Sequence, residues 1–247
     1  MKFSLVLLTL NEIKGCELVV PKIDKSLFFE ILCIDGGSTD GTIEYLRAHG
    51  IKVIVQNKNY DHVKFAKKQR KICDAYLMGV KEAKGDYVVM PFTPDNNMLP
   101  EKLPELINKA KEGYEYVCVS RYKDNAKSFD DTLVSGFGNW MFTTAVNILF
   151  KGKFTDVLGG YKCIKRDLFN RLELDNPKNF RVSIHTQLAI GCLRNNLPYA
   201  DIAGDEPPRV GGESSVSVII NGFSEVITIL EAFFNRSKYK IKNFKTP

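Results

Sequence analysis

The 247-residue sequence lacks the patterns that assign a chain to several common classes. Its six cysteines form no Cys-x-x-Cys pair, which argues against a zinc site or a disulfide framework and favours reduced, packed thiols. No Gly-x-Gly-x-x-Gly and no Gly-Lys-Ser/Thr occurs, so the dinucleotide fingerprint and the P-loop are both excluded. No internal repeat, low-complexity tract or long linker divides the chain, and one domain is therefore expected.

Long uninterrupted hydrophobic runs are also scarce. The apolar run at residues 3–8 ends at Asn11 and Glu12, too early for a signal sequence or a membrane span. The apolar stretch 216–234 contains Asn221, Glu225 and Glu231, and charges at the centre of a bilayer are costly. We therefore expect a cytoplasmic protein in which 216–234 forms a packing or interfacial helix.

The charge balance is mildly basic, with 35 Lys and Arg residues against 29 Asp and Glu residues and a net charge of +6. Such a balance suits nucleotides, phosphorylated acceptors or an anionic membrane and selects none of them, and no nucleic-acid partner is expected. In the tail, residues 235–247, basic residues alternate with aromatic and apolar ones. This pattern predicts peripheral contact with the inner face of a membrane.

Short β-rich runs alternate with longer helix-like stretches, which is typical of βαβ units that build a largely parallel sheet. The predicted strands are 3–9, 28–34, 52–56, 86–92 and 116–120, and the predicted helices are 42–49, 63–83, 100–111, 132–150, 183–195 and 216–234. The fold class is therefore α/β, with a Rossmann-like, mostly parallel sheet flanked by helices. After residue 120 the alternation fades and helices dominate.

Polar side chains follow three of these strands. They are Thr9 to Glu12 after the first, Asp35 to Thr42 after the second, and Thr93 to Asn97 after the fourth. Ligands of open parallel sheets bind beyond the carboxyl ends of the strands, so these residues are expected to share one rim. The run 31–42, ILCIDGGSTDGT, is the most specific of them, because a strand ends on an acid and is followed by glycines that let a ligand approach the backbone.

Seven short motifs follow one another along the chain. They are TLNE at 9–12, IDGGSTDGT at 34–42, AKGDYVVM at 83–90, PDNNMLPE at 94–101, SRY at 120–122, TDVLGGYKCIKR at 155–166 and PPRVGGESS at 207–215. Their order and spacing resemble the family-two glycosyltransferases, most closely the polyprenyl-phosphate sugar synthases of the dolichyl-phosphate mannose synthase type. The resemblance implies a GT-A fold, with residues 1–120 as the nucleotide-sugar-binding half, 121–234 as the acceptor-side half and 235–247 as a separate basic tail.

The resemblance also implies roles for individual side chains on the donor side. Glu12 and Asp35 would hold the nucleotide base and ribose, within a donor site that also includes Thr9, Asn11 and Gly36. Asp95 and Asn97 would ligate a divalent cation, Mg²⁺ or Mn²⁺, that bridges the donor diphosphate. Thr93 stands where relatives carry the first aspartate of Asp-x-Asp, so we expect weaker cation binding.

On the acceptor side, the resemblance implies that Arg121 and Arg209 hold phosphates of the donor or of a lipid phosphate. Asp156 would lie beside the acceptor, either as the base that deprotonates a hydroxyl or as a group that positions other residues around a phosphate. His185 stands where relatives usually show an acid and is a weaker catalytic candidate.

The implied reaction is inverting transfer of a sugar from a GDP- or UDP-linked donor to a polyprenyl phosphate or a glycan hydroxyl. Two alternatives stay open at this point. One is a sugar nucleotidyltransferase, although TLNEIKG at 9–15 lacks the glycine-rich basic loop of that class. The other is a nucleotide-sugar-binding protein that has lost catalysis, for which Thr93 and His185 would be signs.

Overall fold

The computed structural model describes residues 1–57, 67–174, 183–211 and 218–241. Its described strands are β1 (Phe3–Thr9), β2 (Glu30–Asp35), β3 (Lys52–Val55), β4 (Tyr87–Phe92), β5 (Tyr116–Ser120), β6 (Lys162–Lys165) and β7 (Tyr199–Ala203). They form one sheet in the order β3-β2-β1-β4-β6-β5-β7. Only β6 among these strands runs antiparallel to its neighbours, so the predicted mostly parallel sheet is confirmed.

Eight α-helices are described around this sheet. They are α1 (Ile13–Val19), α2 (Thr42–Ala48), α3 (Lys67–Glu82), α4 (Leu103–Lys111), α5 (Leu133–Phe150), α6 (Leu168–Arg171), α7 (Ile184–Arg194) and α8 (Val218–Phe234). The predicted helices 63–83 and 216–234 begin outside the described residues. The last part of the predicted tail, 242–247, also lies outside them. The predicted helix 100–111 corresponds to a 3₁₀ turn, Pro100–Lys102, followed by α4.

Two apolar layers enclose the sheet, because neighbouring side chains of a strand point to opposite faces. Along β1, Val6 and Leu8 belong to the layer that also contains buried residues of α3, α5, α7 and α8. Leu5 and Leu7 belong to the other layer, with buried residues of α1, α2 and α4. All six cysteines lie among the described residues and are buried thiols outside any disulfide, as their spacing predicts.

The register of the first strands brings the predicted rim residues together. Thr9, the last residue of β1, lies opposite Asp35, the last residue of β2. On the other side of β1, β4 pairs in parallel and ends just before Thr93. The three polar segments therefore leave the sheet at one edge, where a parallel sheet places its ligands.

Glu225 is an acid inside the helical layer, where α8 packs on α7. Thr186 Oγ1 donates to Glu225 Oε2 at 2.5 Å. Burial raises the pKa of Glu225 to about 8, and the bond from Thr186 offsets only part of that rise. The folded protein therefore keeps this carboxyl protonated at neutral pH.

Glu225→Gln is expected to flatten the dependence of stability on pH. The unfolded chain ionises this acid near pH 4.5 and the folded chain only near 8, so its contribution to stability falls as pH rises between these values. One pKa unit corresponds to about 1.4 kcal/mol, so the free energy of unfolding of Glu225→Gln at pH 8 should exceed that of the native chain by at most about 5 kcal/mol. Thermal unfolding of both proteins at pH 5 and pH 8 tests this. The exposed Glu44→Gln is the matched control, and an equal pH dependence in Glu225→Gln and the native chain would contradict the prediction.

Candidate active site

Hydrogen bonds connect the segment after β1 to the segment after β2. Asn11 N donates to Ser38 Oγ at 2.8 Å, and Thr39 N donates back to Asn11 Oδ1 at 2.9 Å. Glu12 N donates to Thr42 Oγ1 at 2.9 Å. Asn11 has a φ of 56°, a left-handed conformation that asparagine tolerates better than most residues. The TLNE and GGSTDGT motifs are therefore parts of one rigid edge.

Asp35 is fully buried at this edge and organises the turn that follows it. Its Oδ1 accepts from Gly37 N and Ser38 N, both at 2.7 Å. Its Oδ2 accepts from Thr9 Oγ1 and Ser38 Oγ, both at 2.6 Å. Gly36 approaches Leu10 so closely that a side chain there would touch it. A contact between Asp35 and a nucleoside stays a prediction and requires one of these four bonds to be exchanged.

Asp95 lies in the turn after β4 and contacts an arginine from a distant part of the chain. Thr93 Oγ1 donates to Asp95 Oδ1 at 3.0 Å, and Asn97 N donates to the same oxygen at 3.2 Å. The other oxygen, Oδ2, lies 3.0 Å from Arg209 Nη1. Burial raises the pKa of Asp95, and Arg209, Thr93 and Asn97 offset part of that effect. Thr93 thus orients Asp95.

The segment that carries Arg209 lies directly across the turn of Asp95. Val210 N donates to Asp95 O at 2.8 Å. Asn96 Nδ2 donates to Pro208 O at 2.9 Å, and Asn97 Nδ2 donates to Pro207 O at 3.2 Å. These bonds fix the backbone of Arg209, so the guanidinium is held at the rim.

Glu12 approaches the same turn from the start of α1. Gly15, one helical turn after Glu12, packs so tightly on Pro94 that a side chain there would overlap the Pro94 carbonyl oxygen. Burial raises the pKa of Glu12 to about 7, and the nearby charge of Asp95 adds to the rise while Arg209 opposes it. Two acids and one arginine therefore converge at this point.

The residues at this point fit a divalent cation. Glu12 Oε2 and Asn97 Oδ1 are buried and have no hydrogen-bond partner, beside the carboxylate of Asp95. Carboxylate and amide oxygens are the ligands that Mg²⁺ and Mn²⁺ prefer. Within the described ranges, no three His, Cys, Asp or Glu side chains cluster as a metal site. The oxygens present therefore suit a cation that also takes phosphate and water ligands.

Arg121 occupies the centre of a second charged cluster, after β5. Its Nε lies 2.8 Å from Asp156 Oδ2 and its Nη2 lies 3.2 Å from Asp156 Oδ1, a bidentate pair. Its Nη1 donates to Glu206 Oε2 at 3.2 Å and lies 3.8 Å from Asp131 Oδ1. Three carboxylates from separate parts of the chain thus surround one guanidinium.

Asp156 is fully buried and has both oxygens engaged. Besides Arg121, Gly159 N donates to its Oδ1 at 2.8 Å. Burial alone would raise the pKa of Asp156, yet Arg121, Lys162 and Gly159 together hold it below its usual value. The carboxylate is therefore ionised but shielded, and a substrate proton has no open path to it.

Lys162 and Glu206 are parts of this cluster that sequence reasoning missed. Lys162, on β6, is fully buried, and its Nζ donates to the carbonyl oxygens of Gly159 and Gly160. A lysine two residues after paired glycines, in the motif that also contains Asp156, was the available signal. Lys162 holds the loop that positions Asp156, so its charge shapes the second cluster.

His185 lies in the first turn of α7. Its Nε2 and the hydroxyl of Tyr76 are 2.8 Å apart, and its Nδ1 is buried without a partner. Burial lowers the pKa of His185 well below its usual value, and Lys162 and Arg121 add to that effect. A neutral imidazole packed on Tyr76 fits a structural position, and its catalytic role stays a prediction.

The two charged clusters are joined by one short segment. Glu206 contacts Arg121, and Arg209, three residues later, contacts Asp95. Three residues of extended chain span about 10 Å, so the two arginines border the same region. Of the predicted site residues, the structure groups Glu12, Asp95, Asn97 and Arg209 on one side and Arg121 with Asp156 on the other.

Comparisons with known proteins give relatives of one kind. The chain is 25% identical over 211 residues to glycosyltransferase AglJ of Haloferax volcanii, covering 84% of this chain and 63% of that protein. It is 28% identical over 203 residues to the dolichol-phosphate mannosyltransferase of Pyrococcus furiosus, covering 74% and 51% respectively. The chain thus spans between half and two thirds of the length of these curated relatives.

Solved structures of the same architecture include glucosyl-3-phosphoglycerate synthase from Mycobacterium tuberculosis. Its complex with Mn²⁺, UDP-glucose and phosphoglyceric acid superposes with a TM-score of 0.65 at 20% identity, covering 94% of this chain and 80% of that one. At that identity the likeness shows the fold, and the predicted GT-A architecture is confirmed. The family described as Glycosyl transferase family 2 matches residues 4–173, most of the chain, and the chain therefore belongs to that family.

Proposed function

We propose that this chain transfers a sugar, with inversion, from a nucleotide-diphosphate sugar to a phosphate-bearing acceptor. The observation that carries this proposal is the convergence of Glu12, Asp95 and Arg209 at the carboxyl edge of the sheet, beside the cluster of Arg121. Acids and an arginine at one point suit a cation and a diphosphate together. Family membership and the nucleotide-sugar complexes of the solved neighbour support the same reaction class.

On the donor side, Asp95 and Asn97, with Glu12 beside them, would hold the cation. A bound Mg²⁺ or Mn²⁺ supplies positive charge against the departing diphosphate. Arg209 adds a fixed guanidinium at the same place, and fixed charges of this kind stabilise the leaving group without reorganisation. The Mn²⁺ in the neighbour's complexes supports a divalent cation here. Whether the donor carries uridine or guanosine is decided by pocket shape, and both belong to the proposal.

On the acceptor side, Asp156 favours a phosphate over a hydroxyl. A hydroxyl acceptor needs a base. Asp156 is poorly suited to that role, because it is buried, accepts two hydrogen bonds from the Arg121 side chain and has a pKa below its usual value. A phosphate is already ionised near neutral pH and attacks the anomeric carbon directly. The new bond forms between a phosphate oxygen and that carbon, the bond to the diphosphate breaks, and the nucleoside diphosphate leaves. Arg121 would then bind the acceptor phosphate by exchanging Glu206, which its Nη1 contacts, for a phosphate oxygen.

A polyprenyl phosphate is the acceptor that we favour within this class. The name of the Pyrococcus furiosus relative supports it, because dolichol phosphate is a lipid phosphate. The basic residues of the tail 235–247 would bring the enzyme to an anionic membrane from the cytoplasmic side. Both statements are proposals for this chain, as is its cytoplasmic location.

A thermal-shift panel tests the donor side. A ligand that binds only the native state raises the melting temperature by mass action, so UDP, GDP and their sugar conjugates should do so, more strongly with Mn²⁺. A chain that no nucleoside diphosphate stabilises would refute the donor assignment. Measurement of nucleotide release then distinguishes a transferase from a binding protein that has lost catalysis. Thr93, in place of an acid, is the feature that favours this alternative.

Glu12→Gln is expected to weaken Mn²⁺ binding about tenfold, because it removes one of the two acids that face the cation position. Isothermal titration with Mn²⁺ and UDP measures this without any activity. Glu17→Gln, an exposed acid on the same helix, is the matched control and should bind like the native chain. Equal affinity in Glu12→Gln and the control would leave Glu12 outside the cation site.

A further inference from the structure

Helix α5 exposes an unusually apolar surface. Its 18 residues contain no charged side chain. Leu133 is 95% exposed, Phe137 and Trp140 are each 62% exposed, and Ile148 is 72% exposed. Among the described residues, α5 is the one helix long and apolar enough to cross a membrane, and only 22% of it is buried. A helix packed on a soluble core normally turns such residues inward.

Helix α8 exposes a second apolar surface. Ile219 and Phe223 are 71% and 64% exposed. The two acids of this helix do not interrupt the surface, because Glu225 is buried against Thr186 and Glu231 pairs with Lys238. In the sequence these two acids argued against contact of this helix with a membrane. In the structure Glu225 is buried and Glu231 is paired, so neither leaves an unpaired charge on the exposed side.

The two helices contact each other and end close together. Their carboxyl ends both meet Arg194. The Arg194 guanidinium lies 5.2 Å from the ring of Phe150, at the end of α5, and its Nη1 donates to Asn235 O, just after α8, at 2.9 Å. Their exposed apolar side chains, represented by Leu133, Phe137, Trp140, Ile148, Ile219 and Phe223, form what we call the α5–α8 face.

The amino-terminal end of α5 adjoins the charged site. Helix α5 begins two residues after Asp131, which lies 3.8 Å from Arg121. Helix α8 begins nine residues after Arg209. The α5–α8 face therefore extends away from the arginines that we assign to phosphates.

Positive charge gathers at the other end of this face. Lys151 and Lys153 follow α5 and are exposed, as are Arg236 and Lys240 after α8. Residues 235–247 contain Arg236, Lys238, Lys240, Lys242 and Lys245 and no acid. An apolar surface bordered by basic residues complements an anionic bilayer, in which acyl chains take the apolar part and headgroups take the charges.

The opposite side of α5 is bonded to the folded domain. Asn147 Nδ2 donates to Phe154 O at 2.8 Å, and Phe154 N donates back to Asn147 Oδ1 at 2.9 Å. Val157 N, next to Asp156, donates to Thr143 Oγ1 at 3.1 Å. A helix attached in this way to the loop of the site is part of the folded domain, which suits docking along a membrane surface rather than crossing of a bilayer.

We propose that the α5–α8 face is a membrane-docking surface, which inserts into the interfacial region of an anionic bilayer. Docking through this face brings the amino terminus of α5, and with it Arg121, to the lipid headgroups. The lipid character of the acceptor rests on the proposed function, whereas the docking itself does not.

Vesicle flotation of the full chain tests this proposal. We expect the native chain to float with vesicles of phosphatidylcholine and phosphatidylglycerol and much less with phosphatidylcholine alone. The double variant Phe137→Glu/Phe223→Glu should partition at least about tenfold less, since two exposed aromatic side chains that would insert into the bilayer are replaced by charges. Phe29→Glu, at an exposed phenylalanine beside Lys2, is the matched control and should float like the native chain.

Four readouts decide the outcome. Melting temperature and stabilisation by UDP or GDP should be unchanged in the double variant, because both substituted side chains are exposed. Flotation of the double variant equal to that of the native chain would overturn the proposal. A native chain that does not float but forms a dimer by light scattering, lost in the double variant, would also overturn it and assign the face to a second copy. Flotation without any nucleotide binding would refute the transferase proposal alone.

Discussion

Arg209→Ala is expected to lower kcat about a hundredfold or more, which is the usual cost of removing one preorganised charge donor from a leaving group. Arg209 Nη1 lies 3.0 Å from Asp95, and three backbone and amide bonds fix the segment that carries it. The guanidinium is therefore already in place before the diphosphate leaves. Steady-state release of nucleoside diphosphate measures the loss.

The division between kcat and KM identifies the role of Arg209. Loss of a transition-state contact lowers kcat with little change in KM for the donor, whereas loss of uniform binding raises KM alone. Arg209→Lys keeps the charge without the planar fork and should retain part of the rate. Arg47→Ala, an exposed arginine on α2, is the control. A kcat in Arg209→Ala that equals the control would remove Arg209 from the site.

The strands that sequence reasoning predicted best are buried on both faces. β1 and β5 have the predicted bounds, because every residue in them is buried and the apolar run ends at a polar residue. β6 was missed because it is four residues long and has lysine at both ends, one of them buried only through loop carbonyl oxygens. α1 was missed because its seven residues include Gly15, which is required for close packing on Pro94.

The site was predictable as a set of residues and much less so as a set of contacts. The strand-end rule and the motifs indicated that Asp95 and Arg209, far apart in the chain, would meet, and the structure places them in contact. No sequence pattern indicated that Asp35 would use both oxygens on its own turn. Nor did any indicate that Arg121 would bind Asp156 and Glu206, because such pairings depend on loop geometry that period and propensity do not encode.

These contacts change the interpretation of the missing acid at position 93. The resemblance predicted weakened cation binding because Thr93 stands in place of an acid, but Thr93 donates to Asp95 and Glu12 approaches from α1. Arg209 contributes a permanent positive charge at the same place. The diphosphate would thus meet a mixed site of cation and guanidinium, and the balance between them is what Glu12→Gln and Arg209→Ala measure separately.

Asp156→Asn is expected to lower kcat about a hundredfold without changing the shape of the pH–rate profile between pH 6 and 9. Asparagine keeps the volume but not the charge that orients Arg121, and a displacement of about 1 Å at a positioning residue costs on the order of a hundredfold. Because Arg121 holds the pKa of Asp156 below its usual value, its ionisation lies far below this pH range. A phosphate acceptor needs no base, so no limb of the profile belongs to Asp156.

Two comparisons make this result decisive. Asp205→Asn, an exposed aspartate next to Glu206, should leave both rate and profile unchanged. Circular dichroism melting of Asp156→Asn separates a displaced Arg121 from an unfolded chain, because Glu206 still pairs with the guanidinium. If the native enzyme has a pH limb that disappears only in Asp156→Asn, the carboxylate is a base and the acceptor is a hydroxyl. The phosphate acceptor would then be wrong, while the donor site around Asp95 and Arg209 would stand, because neither depends on how the acceptor is activated.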